Sequence, residues 1–364
     1  MGGEVKRMGV GIIGCGNISS IYLKNASTMF DNLEVKAVAD LDLDRAKAKA
    51  AEFGVKRACT VEQLLADPGV EVVLNLTIPR AHYSVSLAAL QAGKHVYVEK
   101  PLSISLEEGE ELVRLAREKN LVLGGAPDTF LGAGIQTCVK LIADGWIGRP
   151  IGATAFMVGG GHEGWHPDPA FYYQVGGGPL FDMGPYYLTA LVALLGPAAS
   201  VAGMTSKAWE KRSIGSAPKR GQVIEVAVPT HIAGLVSFAS GATATVVTSF
   251  DVKGGSSHVP LEIWGTEGSL QVPDPNTFGG PIRYRKAGEP NWSEVPLLFG
   301  FAENSRGLGL SDLAASLAEG RPPRAGGDLT LHVLELMHGL HRSSDSRRQY
   351  RIKHRCRKPA LRGL

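Results

Sequence analysis

Short apolar runs alternate with amphipathic stretches from Met8 to about Gly148, and this alternation limits the fold more than any other feature of the chain. Each apolar run has the length of a buried strand, and each stretch between two runs has helical periodicity. Such alternation is typical of βα units that build a parallel sheet. Strands are predicted at residues 9–13, 35–39, 70–76, 95–98 and 121–123.

Capping signals place helices between these strands. Thr60 with Gln63, and Ser105 with Glu108, have the spacing of capping boxes, in which the two side chains satisfy backbone amides at the start of a helix. Gly93 follows a helix predicted over residues 84–92, and its access to the left-handed region predicts the end of that helix. The first part of the chain is therefore predicted to be α/β.

Beyond Pro150 the pattern changes to alternating strands separated by Gly, Pro and Asn turns. Strands are predicted at residues 243–250 and 261–264, and helices at 180–195, 311–317 and 330–340. This region is predicted to be α+β, a mostly antiparallel open sheet with flanking helices. The predicted division is a doubly wound domain over residues 1–125, a second domain over 126–341 and a basic tail over 342–364.

The formal charge of +3 hides an uneven distribution of charge along the 364 residues. Residues 342–364 carry about +8, and the remainder carries about −5. Such a tail either lies on the protein surface or in solvent, or it binds nucleic acid. Because Tyr350 is the one aromatic residue in it, we favour the first interpretation and predict no nucleic-acid partner.

The four cysteines have no CxxC spacing, so neither a disulfide framework nor a zinc knuckle is expected, and a reducing compartment fits best. The apolar run at residues 10–13 is too short for a secretory signal. The longest apolar stretch, at residues 186–195, falls well short of the roughly 18 residues that a membrane span requires. We therefore expect a cytoplasmic protein with no membrane partner.

A glycine-rich loop follows the first predicted strand. Gly14, Gly16, Asn17 and Ile18 lie in a G-x-G-x-x-(small) motif that ends at Ser19 and opens the first helix. In Rossmann domains, glycines at these positions let the backbone approach a pyrophosphate, which then lies at the positive helix N-terminus. The motif predicts a dinucleotide cofactor and hence a Rossmann domain.

Asp40, at the end of the second predicted strand, is placed where a carboxylate accepts hydrogen bonds from both ribose hydroxyls. A carboxylate there repels a 2′-phosphate and Asp42 adds to the negative field, so NAD is expected in preference to NADP. Arg45 is the alternative signal, because a guanidinium on the next helix could reach a phosphate. Asp40 could instead cap that helix, although Asp42 or Asp44 could do so equally well.

The segment that ends at Glu99, Lys100 and Pro101 places a lysine just beyond the carboxyl end of a predicted strand. Ligands of open α/β sheets bind outside those ends. Pro101 holds Lys100 extended, and a cis bond between them is compatible with the sequence. An ammonium there can stabilise an alkoxide. The alternative is a surface Glu-Lys pair.

A second group of polar residues includes Asp182 and Tyr186. On one helix they would share a face, but Pro185 requires that the helix either kinks or begins near that residue. A lysine ammonium nearby would favour the phenolate of Tyr186 and make it a usable base.

These motifs resemble those of the Gfo/Idh/MocA family of NAD(P)-dependent sugar oxidoreductases, named for glucose-fructose oxidoreductase, inositol dehydrogenase and rhizopine catabolism. The resemblance runs from Met8 to about Leu270. The segments that carry it are residues 14–19, 77–79 with His82, 93–101, 176–186 and 264–268.

The resemblance implies roles for individual residues. Lys100 would be catalytic, and Asp182 and Tyr186 would contact the reacting hydroxyl. The residues expected on the nicotinamide side are Thr77, Ile78, Pro79, His82 and Glu99. The second domain would bind substrate and form a homodimer, or a homotetramer, through its sheet. Most members have histidine where this chain has Tyr186, so it resembles the tyrosine-bearing subgroup, which favours oxidation at the anomeric carbon of an aldose.

Additional substrate contacts are expected from Asp128 and from the loop at residues 159–168. Trp165 could stack on a sugar ring, and His162 or His166 could form hydrogen bonds with the sugar hydroxyls. No metal site is expected, because Gly164 and Pro167 disfavour a helix that would align the histidines. Asp128 could equally be a turn residue.

The sequence thus predicts an NAD-dependent sugar dehydrogenase that oxidises an aldose, either a pentose such as apiose or a hexose, at C1 to a lactone. Two alternatives stay open. One is a nucleotide- or sugar-sensing regulator without turnover. The other is a sugar-sugar oxidoreductase with tightly bound cofactor.

Overall fold

The computed structural model describes residues 7–363, which divide into two compact units. The first unit runs to Leu131 and takes in Asn304–Leu331. The second comprises Gly132–Glu303 and the chain from His332 onward. The division predicted from sequence placed residues 304–331 in the second domain and treated residues 342–364 as a separate tail, and the observed units differ on both points.

The strands and helices of the described residues follow one another along the chain in βα order first and in mostly β order later. The strands are β1 (Met8–Ile13), β2 (Leu33–Ala39), β3 (Ala58–Cys59), β4 (Val72–Asn75), β5 (His95–Val98), β6 (Leu123–Gly125), β7 (Pro150–Val158), β8 (Ala198–Ser206), β9 (Lys211–Ser213), β10 (Val223–Glu225), β11 (His231–Phe238), β12 (Thr243–Ser249), β13 (Leu261–Gly265), β14 (Gly268–Val272), β15 (Ile282–Lys286), β16 (Ser293–Val295) and β17 (Tyr350–Arg351). The helices are α1 (Ser19–Thr28), α2 (Leu43–Phe53), α3 (Val61–Leu65), α4 (Pro79–Gln91), α5 (Leu106–Glu118), α6 (Ala133–Ala143), α7 (Gly178–Asp182), α8 (Gly184–Leu195), α9 (Leu308–Glu319) and α10 (Gly327–Ser346).

The first unit is built on a six-stranded sheet with the order β3-β2-β1-β4-β5-β6, and every pair in it is parallel. This is the Rossmann arrangement, and it confirms the predicted doubly wound sheet. The short edge strand β3 was not predicted, because two residues are too few for a recognisable apolar run. β1, β4 and β5 are almost completely buried, as expected for parallel strands covered on both faces.

Local signals fix three helix ends as predicted. Both capping boxes form, with the side chains of Thr60 and Ser105 accepting from the amides of Gln63 and Glu108. Gly93 has a φ of +76° beyond the end of α4. That helix starts at Pro79, five residues before the predicted start, because proline is well tolerated at the first helical position.

The second unit contains a nine-stranded sheet with the order β16-β15-β14-β13-β7-β12-β11-β8-β17. The pair β7 and β12 is parallel and the others are antiparallel, which confirms the predicted mostly antiparallel sheet. The helix α8 is buried along its whole length. A separate hairpin of β9 and β10 lies outside the large sheet.

The basic C-terminal segment packs on the second unit. This agrees with the interpretation that the tail lies on the protein surface. β17 pairs with β8, and the buried carboxylate of Glu335 accepts backbone amides from Lys353 and His354. Lys358 Nζ donates to the carbonyl of Leu194 at 2.8 Å. Four basic side chains of the segment alternate outward, at residues 351, 353, 355 and 357.

Within residues 7–363, no helix is both long and apolar enough to cross a membrane. Cys15, Cys59 and Cys138 are buried and Cys356 is half-buried, and none of the four forms a disulfide within the described residues. No group of three or more potential metal ligands occurs in the described part of the chain.

Candidate active site

The glycine-rich loop joins β1 to α1 at the carboxyl edge of the parallel sheet. Gly14 has a φ of +101°, and a Cβ there would lie 2.7 Å from the backbone carbon of Leu76. Only glycine therefore fits at residue 14. A Cβ at Gly16 would meet no atom within 4 Å, so protein packing does not require glycine there. The open space beside Gly16 fits a pyrophosphate at the start of α1.

Asp40 follows β2 and supports the same loop. Its Oδ2 accepts the backbone amide of Cys15 at 2.8 Å, and its Oδ1 accepts the amide of Asp42 at 3.0 Å. The side chain of Asp42 caps α2 by accepting from the amides of Asp44 and Arg45. The helix-cap alternative for Asp40 is therefore wrong, and Asp40 lies at the edge where Rossmann domains bind ribose.

Arg45 lies beside both acidic residues in this region. Its guanidinium is 3.5 Å from Asp40 and 3.6 Å from Asp42, and its side chain is about half exposed. Two carboxylates thus lie beside the arginine that the sequence offered as a possible partner of a 2′-phosphate. This arrangement favours an unphosphorylated ribose, because a phosphate would have to compete with both carboxylates.

Beyond β4, hydrogen bonds fix the backbone around Thr77. Asn75 Oδ1 accepts from the amide and the hydroxyl of Thr77 at 3.2 and 2.6 Å. The buried imidazole of His82 lies between two carbonyl oxygens, those of Thr77 at 2.9 Å and Pro101 at 2.6 Å. Burial lowers the pKa of His82, and the two carbonyl oxygens oppose this shift. His82 therefore links the end of β4 to the segment that carries Lys100.

Ile78 is two-thirds exposed at the N-cap of α4, and Pro79 occupies the first turn. Neither position is filled by packing against the core. Both therefore lie on the accessible carboxyl edge of the sheet, as expected for residues near a cofactor.

Lys100 lies two residues beyond β5, and Glu99 supports its backbone. The buried carboxylate of Glu99 accepts the Tyr22 hydroxyl at 2.7 Å and the Lys100 amide at 2.9 Å. Burial, followed by the charge of Glu99, raises the pKa of Tyr22 well above its usual value, so Tyr22 remains a donor. The bond between Lys100 and Pro101 is cis. A buried carboxylate with these partners does not fit the alternative of an exposed surface Glu-Lys pair.

Asp128 is buried, and its Oδ2 accepts the amides of Gly307 and Gly309 at 2.8 and 3.0 Å at the start of α9. Burial raises the pKa of Asp128 to about 6, although the two amides oppose the shift. These contacts give Asp128 a structural role at a helix N-terminus, and none of them favours the predicted substrate contact.

In the second unit, Asp182 and Tyr186 lie on either side of a break between two helices. α7 ends at Asp182, and α8 begins at Gly184 with Pro185 in its first turn. Of the two alternatives for Pro185, the second is therefore observed, and the single helix predicted over residues 180–195 is wrong. Tyr186 is buried, while the Asp182 side chain keeps 14% of its surface exposed.

Aromatic rings pack around His162, which lies next to Asp182. His162 Nε2 is 3.5 Å from Asp182 Oδ2, and the His162 ring stacks on Tyr172 with a centroid distance of 3.8 Å. Trp165 is 5.3 Å from the same imidazole and about two-thirds exposed. His166, the other histidine proposed from sequence, instead accepts the Asp168 amide at Nδ1. Between the two histidines, His162 is thus the one that lies at Asp182.

A buried network of charged side chains holds the loop at residues 159–168 in place. Glu163 Oε1 accepts Arg212 at 2.7 Å and Lys253 at 2.6 Å, and its other oxygen accepts the Tyr173 hydroxyl. Burial alone would raise the pKa of Glu163, but the hydrogen bonds from Lys253, Tyr173 and Arg212 lower it to about 2. Arg212 also binds Asp251. The network was not predicted from the sequence, because its members are spread over some ninety residues with no recognisable spacing.

Comparison with protein families identifies the class of protein. The model described as "Oxidoreductase family, NAD-binding Rossmann fold" matches residues 8–125, and the Gfo/Idh/MocA C-terminal domain model matches residues 135–271. The two matches cover most of the chain. The fold and the matches define an oxidoreductase with an NAD-binding domain.

Individual relatives agree with this class. The chain is 32% identical to 1,5-anhydro-D-fructose reductase from Ensifer adhaerens, over 71% of this chain and 74% of the relative. It is 26% identical to levoglucosan dehydrogenase from Pseudarthrobacter phenanthrenivorans, over 65% and 64% of the two chains. The chain belongs to the Gfo/Idh/MocA family of NAD(P)-dependent oxidoreductases. The predicted family and the predicted NAD cofactor are confirmed.

Solved structures share the fold over nearly the whole chain. Levoglucosan dehydrogenase in complex with NADH and levoglucosan superposes with a TM-score of 0.81 at 22% identity, covering 96% of this chain and 100% of the other. Aldose-aldose oxidoreductase from Caulobacter crescentus, complexed with glycerol, gives 0.80 at 22% identity, covering 95% and 100%. At this identity the likeness establishes the fold.

Proposed function

We propose that the protein is an NAD-dependent sugar dehydrogenase that oxidises a hydroxyl-bearing carbon of an aldose. The observation that carries the proposal is the position of Lys100, which follows β5 at the carboxyl edge of an NAD-binding sheet. Ligands of such sheets bind at this edge. Glu99, anchored by Tyr22, holds the Lys100 backbone in place there.

Three side chains are assigned to the chemistry. The Lys100 ammonium stabilises the negative charge that develops on the substrate oxygen, Tyr186 as its phenolate accepts the hydroxyl proton, and Asp182 orients the hydroxyl. When bound, NAD supplies the hydride acceptor. Gly14, Gly16, Asn17, Ile18 and Asp40 would hold it, and the remaining expected contacts are Arg45, Thr77, Ile78, Pro79, His82 and Glu99. The pairing of two carboxylates around Arg45 supports a preference for NAD over NADP.

A carbohydrate substrate is supported by the residues around Asp182. Trp165 presents an exposed ring next to His162, and an aromatic face of this kind suits the apolar face of a sugar ring. The His166 ring packs edge-on against Trp165 and Phe171 in the same aromatic group. The relatives named above are enzymes of sugar derivatives. We propose a pentose such as apiose, or a hexose, with C1 oxidised to the lactone.

The decisive experiment incubates purified protein and NAD with a panel of aldoses and polyols and follows absorbance at the reduced-nicotinamide band. Growth of the band with at least one aldose is expected, together with lactone in the product mixture. Tight NAD binding without turnover on every sugar would contradict the dehydrogenase and favour a sensing regulator. Nucleotide that remains bound through purification, with reduction of a second sugar, would instead indicate a sugar-sugar oxidoreductase.

We also propose that the second unit pairs with a second copy through the open face of its nine-stranded sheet. Met204, Leu235 and Trp264 are exposed, and the strand register places them on one face. A groove of about 1050 Å³ borders this face between β8, β11 and residues 343–349. Met204 and Leu235 lie on the neighbouring strands β8 and β11, and a contiguous exposed apolar patch commonly marks an interface.

Light scattering tests this pairing. The wild type is expected at twice the mass of one chain or a multiple of it, and the double change Met204→Glu and Leu235→Glu is expected to give monomers. The matched change Val223→Glu, on the separate hairpin, should leave the mass unchanged. A monomeric wild type would refute the interface.

A further inference from the structure

We propose that His162 is a positioning residue that fixes the Asp182 carboxylate for the oxidation, an inference that rests on the proposed function. The imidazole and the carboxylate together form the His162–Asp182 pair. Four observations carry the inference: the distance within the pair, the rings around the imidazole, the anchoring of the loop backbone and the charges nearby.

The pair joins a loop residue to the last residue of α7. His162 Nε2 lies 3.5 Å from Asp182 Oδ2, and each side chain keeps 14% of its surface exposed. A carboxylate at this distance attracts an imidazole whose Nε2 carries a proton, and such contacts tighten when substrate excludes water. Asp182 is the last residue of α7, and His162 contacts its carboxylate from a separate loop.

Aromatic rings hold the imidazole from more than one direction. Tyr172 stacks on it with an interplanar angle of 12°, and Phe250 meets it edge-on at a centroid distance of 4.6 Å. Trp165 packs against it at 45°. A ring with these neighbours has few rotamers open to it, so its Nε2 keeps a constant direction toward Asp182.

The backbone that carries His162 is anchored from both sides. Gly161 has a φ of +92°, and a Cβ there would lie 2.4 Å from the Tyr173 hydroxyl. The amide of His162 donates to that same hydroxyl at 3.2 Å. Arg212 and Lys253 donate to the carbonyl of Gly160 at 3.2 and 2.9 Å. Contacts with Tyr173, Arg212 and Lys253 therefore fix the path of the backbone from residue 160 to residue 162.

The charges next to the loop already have partners. Glu163, the neighbour of His162 in sequence, is bound by Arg212, Lys253 and Tyr173. Asp251 is bound by Arg212 and by the Thr230 hydroxyl. These two carboxylates are committed to the buried network, so Asp182 is the carboxylate that His162 Nε2 addresses.

The kinetic test compares the wild type with His162→Ala, His162→Asn and His162→Gln in the aldose oxidation assay. Loss of a group that orients a reacting partner costs about 10- to 100-fold in turnover. We expect His162→Ala to lower kcat by about that factor, with the KM for NAD unchanged. The Asn or Gln variant should recover part of kcat, because an amide N–H can replace the imidazole donor.

The matched control is His258→Ala, which removes an exposed histidine that packs against Phe156 elsewhere in the second unit. Its kcat should equal that of the wild type. A kcat for His162→Ala within twofold of the wild type would overturn the positioning role. A thermal unfolding curve on each variant separates loss of folded protein from loss of turnover, and the Asn and Gln variants remain informative if the Ala variant fails to fold.

A second readout does not depend on turnover. With ¹⁵N-labelled histidine, the ring nitrogen signals of His162 should shift in Asp182→Asn and stay in place in Asp168→Asn, which removes an exposed carboxylate of the same loop that pairs with Lys219. An unchanged His162 signal in Asp182→Asn would refute the pair. A wild type that oxidises no sugar while this shift is present would refute the proposed reaction and leave the pair intact.

Discussion

The two units place their polar groups by different means. At the cofactor edge of the first unit, residues such as Asp40 and Asn75 bond to backbone amides within a few residues or across one neighbouring strand. At Asp182, the supporting residues come from separate elements and interact mainly through buried charges and rings. Geometry at the cofactor edge thus follows from the backbone of the sheet, whereas geometry at Asp182 depends on particular side chains.

This difference means that the region around Asp182 can change its side chains without altering the site for the dinucleotide. A family whose members share a dinucleotide-binding fold and differ in substrate would need this separation. Substitutions in each unit and a change of pH test this separation. The largest expected effect is the loss of most turnover, and the smallest is a loss of about 1 kcal/mol of unfolding free energy.

Lys100→Ala should remove most of the turnover and leave both binding steps in place. A single donor that stabilises a developing oxyanion contributes about 10²- to 10³-fold to kcat. NAD affinity, measured by calorimetry, should stay within about twofold, because the ammonium acts on transition-state charge. Lys119→Ala, at an exposed helix end, is the control. Unchanged turnover in Lys100→Ala would remove the lysine from the mechanism.

Glu163→Gln should destabilise the second unit and spare the cofactor edge. Removing one partner from a buried charge network costs about 3–5 kcal/mol, because Arg212 loses a partner in a buried setting. Chemical unfolding should show this loss, while NAD binding to the remaining folded protein should be normal. Glu210→Gln, an exposed pair with Lys207, should cost less than about 1 kcal/mol. Equal effects of the two changes would contradict the importance of the buried network.

Acid should affect the second unit through the same residue. The folded-state pKa of Glu163 is about 2, below the ordinary value of 4.5, so ionised Glu163 stabilises the fold above pH 4.5. This contribution, about 3 kcal/mol, falls away as the pH drops from 4.5 toward 2. Glu163→Gln should therefore flatten the wild-type loss of unfolding free energy in that range. A variant with the same acid profile as the wild type would show that other carboxylates control it.

Asp40→Ser should change the choice of cofactor without affecting the region around Asp182. Hydrogen bonds from ribose hydroxyls to a carboxylate are worth about 1.5–3 kcal/mol, so the preference for NAD over NADP should fall by about 10- to 100-fold. The KM for sugar should stay the same at saturating cofactor. Asp44→Ser, in the first turn of α2, should leave the ratio unaltered. An unchanged preference for NAD over NADP in Asp40→Ser would mean that another residue recognises the ribose.

Ser105→Ala should have the smallest effect. It removes the capping box at the start of α5, where the Ser105 hydroxyl accepts the Glu108 amide at 3.2 Å. Loss of such a cap costs about 1 kcal/mol of unfolding free energy. Turnover at 25 °C should be normal, since the cap lies within one helix of the first unit. Ser105→Asp, which retains a capping acceptor, should restore most of the stability.

The two units also differ in how much of their structure the sequence predicts. Thr60 and Ser105 each accept an amide three residues away, and Gly93 takes the left-handed conformation just beyond α4, so their roles could be predicted from local spacing alone. The position of Asp40 followed from the rule that ligands bind at the carboxyl ends of parallel strands. The break at Met183 was left open between two alternatives, because Pro185 permits either a kinked helix or a new first turn.

Around Asp182 the sequence was less informative. Arg212 and Glu163 are 49 residues apart, and nothing in either neighbourhood marks them as partners. The choice between His162 and His166 depended on which ring faces Asp182, and that is fixed by packing of Tyr172 and Phe250. Asp128 could not be separated from a turn residue until its contacts with α9 were known. Long-range pairs of this kind have no local pattern.

The docked C-terminal strand has a consequence for solubility. A β-sheet leaves a row of amides and carbonyls open along each outer strand, which invites other chains to add to it. β17 occupies part of that row on β8, and the outward arginines and lysines beside it repel a second identical chain. Removing the residues after Gln349 would uncover the row and take away the repelling charges, so the shortened protein should aggregate even where its two cores remain folded.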